Sequence, residues 1–147
     1  MVDRLTPERR SWNMSRIRAG DTGPERAVRS LLHRMGFRFR LHPVNLPGRP
    51  DIVLSKYRVA IFVHGCFWHR HKGCRFAYNP KSRLKFWEKK FESNIRRDIT
   101  VRGLLDRLGW HVITVWECEL RPTDELASKL KMDLGARSKN LPARKTR

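Results

Sequence analysis

Val59-Ala60-Ile61-Phe62-Val63-His64-Gly65-Cys66-Phe67-Trp68-His69-Arg70-His71-Lys72-Gly73-Cys74 is the stretch on which the rest of the chain turns. Its first five residues form an uninterrupted apolar run, rich in β-branched residues and short enough to be a buried strand. The eleven that follow hold three of the six histidines and two of the three cysteines of the 147-residue chain, with Phe67 and Trp68 among them. A buried strand that delivers soft metal ligands, imidazoles and large aromatics at its end predicts a functional rim. Just upstream, Pro47-Gly48-Arg49-Pro50-Asp51-Ile52-Val53-Leu54 sets one carboxylate at the start of a second apolar strand.

Working outward, two strands are expected at 51–55 and 58–64, joined tightly around Ser55-Lys56-Tyr57. Before them, Phe37-Arg38-Phe39-Arg40-Leu41 alternates apolar and basic, the pattern of a half-buried strand, and a loop with three prolines covers 42–50. Pro24 suits a first helical turn, Glu25 suits the positive end of that helix, and Gly36 ends it after Met35. A short helix is expected at 11–18, with Ser11 as its cap. Downstream, a long helix begins near Ser82. Leu84, Trp87, Phe91 and Ile95, continued by Leu104, Leu105 and Leu108, are read as its apolar face, and Ile99-Thr100-Val101 with Gly103 predicts a bend or break. Gly109 stops it, residues 110–116 form the last strand, and a final helix spans about 123–133. The order is α/β, with a mixed, partly parallel sheet between helices in three layers. Residues 1–10 are read as a flexible N-terminus, 11–134 as one domain and 135–147 as a basic, disordered tail.

The formal net charge of +19 makes nucleic acid the first candidate partner and an anionic membrane surface the second. From Arg26 to Trp87 a single carboxylate, Asp51, stands among fourteen lysines and arginines. Such surroundings predict a strongly ionised Asp51, suited to hold a divalent cation beside a phosphate. Met1–Thr6 lack the apolar core of a secretory signal, and no apolar run is long enough for a bilayer. The expectation is a cytoplasmic protein with reduced thiols, in which clustered Cys and His bind metal rather than form disulfides.

Cys66, His71 and Cys74 are separated by four and two residues. If the last strand runs parallel beside residues 58–63, Cys118 reaches the same edge and completes a Cys3His set, the usual composition of structural zinc, with His69 as a competitor for the histidine place. Buried or surface thiols without metal are the plainer reading. His69 and His64 remain; a rigid imidazole beside a metal-held loop suits a general base. Phe67 and Trp68 are open to two readings, core packing or stacking against nucleic-acid bases.

Taken together, Asn13-Met14-Ser15-Arg16-Ile17-Arg18, Pro47-Gly48-Arg49-Pro50-Asp51, Phe62-Val63-His64-Gly65-Cys66-Phe67-Trp68-His69, Phe86-Trp87, Gly109-Trp110 and Val115-Trp116-Glu117-Cys118 resemble, in order, the very short patch repair endonucleases. The resemblance runs from about residue 11 to 121. It implies a restriction-endonuclease-like fold with an added structural zinc, and a bacterial enzyme that nicks DNA beside the thymine of a T:G mismatch left by 5-methylcytosine deamination. It implies that Asp51 binds catalytic Mg²⁺ with the backbone carbonyl of Val63, and that His69 is the general base with His64 beside it. Glu25 would contact the metal's hydration shell, and Cys66, His71, Cys74 and Cys118 would hold zinc. Phe67, Trp68 and Trp87 would enter the duplex from the major groove and Met14 from the minor groove, with Lys90 and Asn94 near the mismatched pair. The implied partner is double-stranded DNA carrying a T:G mismatch, bound by a monomer that cooperates with mismatch-repair factors. The second acid and the lysine that restriction-type nucleases carry after Pro-Asp are missing, since Ile61, Phe62 and Val63 stand there. Two rival readings stand beside it: a restriction-like endonuclease without mismatch preference and, suggested by the basic charge and that gap, a non-catalytic, zinc-stabilised DNA-binding module.

Overall fold

The computed structural model describes residues 22–139. The short helix expected at 11–18 with Met14 inside it, the N-terminal segment 1–10 and residues 140–147 of the tail lie outside the described residues.

The first helix, α1 (Gly23–Arg34), starts where Thr22 accepts a hydrogen bond from the Glu25 backbone N–H at 3.4 Å, with Pro24 in the first turn. Strand β1 (Arg40–Leu41) covers only the end of the alternating segment. The alternation holds as far as Arg40, for Phe37 and Phe39 pack on the core while Arg38 and Arg40 face solvent, and it fails at Leu41, which is exposed. Strands β2 (Ile52–Leu54) and β3 (Val59–His64) are linked by a 3-10 turn at Ser55–Tyr57, and helix α2 (Leu84–Arg107) crosses over to β4 (His111–Trp116). A second 3-10 turn at Glu117–Leu120 leads into α3 (Thr123–Lys139).

The sheet order is β1-β2-β3-β4; the first two pairings are antiparallel and β3–β4 is parallel. Alternate residues of β3 point to opposite faces. Val59 and Ile61 join a core built with Val28 and Leu32 of α1 and Leu130 and Leu134 of α3. Ala60 faces the other way, onto Leu105 of α2 with Val112. Helices therefore cover both faces of a mixed sheet. Among the described residues no helix is long and apolar enough to cross a membrane.

Three expectations need correcting. The final helix does not stop near 133, and residues 135–139 are helical rather than disordered. Leu134 is fully buried, and Arg137 donates to the carbonyls of Tyr57 at 3.0 Å and Gly109 at 2.8 Å, which anchors the extra turn past Gly135. Helix α2 runs unbroken through Ile99–Gly103. Its inward stripe is also not the one read from the sequence. Trp87, Phe91, Asn94, Asp98, Val101 and Leu105 face inward, whereas Leu84, Ile95, Ile99 and Leu104 are exposed. The spacing of four and three is helical, but two members of the stripe are polar.

Candidate active site and Cys/His cluster

The loop from Pro43 to Pro50 returns to the sheet under a close contact. Gly48 has φ +72°, and a Cβ there would overlap the Val101 side chain of α2. Glycine is needed on both counts. The loop is closed by the His42 N–H, which donates to the Asp51 carbonyl at 3.3 Å. Asp51 then turns its carboxylate along the sheet, where Oδ2 accepts from the Val63 N–H at 2.7 Å.

Asp51 does not sit among the arginines near it in sequence. Glu25 of α1, only 5% exposed, and His42 lie against it. Burial raises the Asp51 carboxyl to about 6, with the Val63 N–H opposing the shift and Glu25 adding to it. The direction expected for Asp51 is therefore reversed in the metal-free protein: its carboxyl is held above, not below, the ordinary carboxylate range. Among the described residues, the charged side chain that raises it is another acid, Glu25. Glu25, His42 and Asp51 each present one ligand atom within 4.8 Å of the others. Two carboxylates that close suit a divalent cation, whose charge reverses the effect of burial.

The next residue after Val63 belongs to a second group. His64 and His69 stack face to face, with ring centroids 3.8 Å apart and planes 4° from parallel. His69 Nδ1 lies 2.6 Å from Asp98 Oδ2, and His64 Nε2 lies 3.9 Å from Asp98 Oδ1. Burial first, and the neighbouring His69 second, push His64 down to about 4, so it is neutral at pH 7. A carboxylate on Nδ1 keeps the proton there and leaves Nε2 of His69 as the acceptor, which is the arrangement a general base requires.

A third group gathers at the ends of the two parallel strands. The β3–β4 register places His64 opposite Trp116, so the residues following each strand meet. Cys66, His71, Cys74 and Cys118 bring their ligand atoms within 4.8 Å of one another, and Cys118 Sγ is 3.4 Å from His71 Nδ1. Backbone bonds from His69 N–H to the Gly65 carbonyl and from His71 N–H to the Cys66 carbonyl, both 3.1 Å, fold the loop so that the two histidines face different groups. His71 stacks on Trp116 and joins the cysteines; His69 joins Asp98. Three sulfurs and an imidazole at these separations form a donor set able to hold one metal ion.

Phe67 and Trp68 lie outside both main cores, in a satellite of half-buried rings with Trp87 and Phe91 of α2. The ring centroids of Phe67 and Trp68 are 5.2 and 5.4 Å from that of Trp87. Tyr78 and Phe86, 63% and 43% exposed, extend the patch to solvent. Lys90 is exposed beside it. Asn94 departs from the expected DNA contact. It is 4% exposed, its Nδ2 donates to the Trp68 carbonyl at 3.0 Å, and its Oδ1 accepts from Arg97 at 2.8 Å. Asn94 thus positions the aromatic loop from beneath.

Sequence reasoning missed Asp98 and His42. The only trace of Asp98 was its phase, four residues after Asn94 and three before Val101 on the inward stripe of α2. Nothing in the spacing of His42 marked it.

Over residues 2–75 the chain matches the family described as DNA mismatch endonuclease Vsr. The type II nicking enzyme V.XorIIP of Xanthomonas oryzae pv. oryzae is 52% identical over 131 residues, 89% of this chain and 96% of its own length. The type II nicking enzyme V.NmeAIP of Neisseria meningitidis is 45% identical over 121 residues, 82% of this chain and 86% of its own. The DNA mismatch endonuclease Vsr of Escherichia coli K12 is 43% identical over 129 residues, 88% of this chain and 82% of its own.

Proposed function

The chain belongs to the Vsr family of DNA mismatch endonucleases, and we propose that it nicks one strand beside the thymine of a T:G mismatch to open a short repair patch. As a member of that family it is a DNA nuclease, a phosphodiester hydrolase. The finer reading, that the T:G pair is the substrate, Mg²⁺ the catalytic cation and zinc the ion of the Cys/His cluster, rests on how the site's parts are joined. The observation that carries it is the adjacency at the end of β3. Val63 donates to Asp51, and the following residue, His64, stacks on the His69 that Asp98 holds. An acid pair for a cation and an oriented base thus share one strand end.

Asp51, with the Val63 backbone carbonyl, would hold Mg²⁺, which when bound stabilises the charge of the scissile phosphate. Glu25 stands beside Asp51 on the same side. His69 Nε2 takes the proton of the attacking water, and Asp98 fixes the tautomer and stabilises the imidazolium that forms. Neutral His64 packs flat on His69 and restricts its ring. Cys66, His71, Cys74 and Cys118 suit zinc in composition and spacing, and zinc there would tie the loop carrying His69 to the end of β4. The fold, a mixed sheet with helices on both faces, fits a restriction-endonuclease-like nuclease whose usual acid–lysine pair is replaced by a backbone carbonyl and a histidine. Phe67, Trp68 and Trp87 would stack on unpaired bases; unstacking costs least at a mismatch, so the cost itself selects the target.

Incubation with matched and T:G duplexes in Mg²⁺ tests this. A nick confined to the thymine strand of the T:G duplex is expected. Equal cutting of both duplexes supports a restriction-like enzyme without mismatch preference, and binding without cutting supports a DNA-binding module.

A further inference from the structure

His42 has no part in the reading above, yet three features single it out. Its backbone lies in the left-handed region at φ 45°. For a residue other than glycine this conformation is unfavourable and points to a constraint. The ring bridges the buried Glu25 and the half-buried Asp51, with Nε2 3.2 Å from Glu25 Oε2 and Nδ1 3.9 Å from Asp51 Oδ1. Nε2 is buried and, among the described residues, has no hydrogen-bond partner; the Glu25 oxygen is close enough to attract it but not aligned to accept from it.

A buried ring nitrogen without a hydrogen bond is unfavourable. A constrained backbone that places it there, in a ring grouped with two carboxylates so that one ligand atom of each lies within 4.8 Å of the others, makes sense if that nitrogen bonds to something else. A cation between the acids meets the need of all three side chains at once. It neutralises the carboxylates and takes the nitrogen lone pair.

We propose that His42 is a nitrogen ligand of the divalent cation held by Asp51 and the Val63 carbonyl, with Glu25 as a further side-chain donor. The proposal rests on the reading that Asp51 holds a cation. It adds a consequence which that reading lacks. Mg²⁺ takes oxygen donors and gives up its waters reluctantly, whereas imidazole suits transition metals. A site with one imidazole and two carboxylate side chains therefore favours Mn²⁺ over Mg²⁺.

The test uses the full zinc-loaded chain and reads metal binding rather than activity. Mn²⁺ is titrated by electron paramagnetic resonance with Mg²⁺ as competitor, for the parent, His42→Asn, His64→Gln and Asp51→Asn. Asparagine tolerates the left-handed backbone, and His42→Gln is the second variant should His42→Asn fail to fold. The parent is expected to show ¹⁴N modulation in the electron spin echo of bound Mn²⁺. The His42 variant should lose that modulation, and its preference for Mn²⁺ over Mg²⁺ should fall on the order of ten-fold. His64→Gln should keep both, and Asp51→Asn should abolish Mn²⁺ binding. Modulation and preference unchanged in the His42 variants, or lost in His64→Gln instead, overturn the His42 assignment while the Asp51 reading stands. No Mn²⁺ bound by the parent, or binding unchanged in Asp51→Asn, overturns both.

Discussion

His69 and Asp98 stand 29 residues apart in sequence and meet at 2.6 Å, Nδ1 to Oδ2, where the loop after β3 passes over the middle of α2. Both side chains are partly buried, so the contact is shielded enough to orient the ring yet open enough for substrate to reach its other nitrogen. Asp98→Asn keeps the shape and removes the charge. It should bind T:G DNA as the parent does and lose about 10²–10⁴-fold in single-turnover nicking. An unchanged single-turnover rate would falsify the orienting role.

Trp68 should act on binding rather than on the chemical step. Trp68→Ala is expected to lose on the order of 1–3 kcal/mol of DNA affinity and to discriminate less between T:G and matched duplexes, with the salt dependence of binding unchanged. Filter-binding or anisotropy titrations at two salt concentrations measure this. A variant that melts far below the parent, while its folded fraction binds normally, makes Trp68 a structural member of the Phe67–Trp87 cluster only.

Cys118 closes the Cys/His cluster from the β4 side, at 3.4 Å from His71. Because binding energy at a structural metal site is folding energy, Cys118→Ser should lower bound zinc and melting temperature together. Full zinc occupancy in that variant removes Cys118 from the ligand set.

Two buried groups give opposite pH dependences in protein without added Mg²⁺. His64 is lowered from 6.5 to about 4, so between those values the unfolded chain holds a proton that the native state lacks, and stability falls as pH falls. Asp51 is raised from 3.8 to about 6, so there the native state holds the extra proton, and its contribution grows as pH falls. Between about 4 and 6 the two offset each other. Asp51→Asn should therefore lose stability more steeply than the parent on going from pH 6.5 to 4.5, and His64→Gln less steeply. Urea unfolding at the two pH values gives the slopes, and comparison with the parent cancels acid loss of metal from the cysteines. Equal slopes in all three proteins contradict the assignment.

Gly48 carries the approach of the 42–50 loop to α2. Gly48→Ala combines a positive φ with overlap at Val101 and should cost roughly 2–4 kcal/mol. The double variant with Val101→Ala should recover the overlap part and not the backbone part. Full additivity of the two single losses in chemical denaturation argues against the contact.

The stretch from Val59 to Cys74 was legible because its signals are local. A short β-branched apolar run favours a buried strand, and cysteines and histidines at short spacing show their common chemistry without tertiary information. Helix α1, with proline in its first turn and Gly36 past its end, was legible for the same reason, as was the parallel pairing implied by a helix between β3 and β4. Helix α2 was not. Its inward stripe carries Asn94 and Asp98, and a search for apolar periodicity slides off polar members onto the neighbouring face of Ile95, Ile99 and Leu104. That error of phase concealed the partner of His69. His42 was hidden differently, because its pairing with Glu25 and Asp51 depends on how a loop closes and on which way one backbone torsion turns. The direction of the Asp51 shift was misjudged because charge counted along the chain says nothing about burial or about an acid arriving from helix α1. The sequence by itself determined the strand, the ligand types and the family. Which histidine faces the cysteines, which faces Asp98, and which acid Asp51 meets were decided only by packing, since distances between side chains on different elements exist only once those elements are stacked.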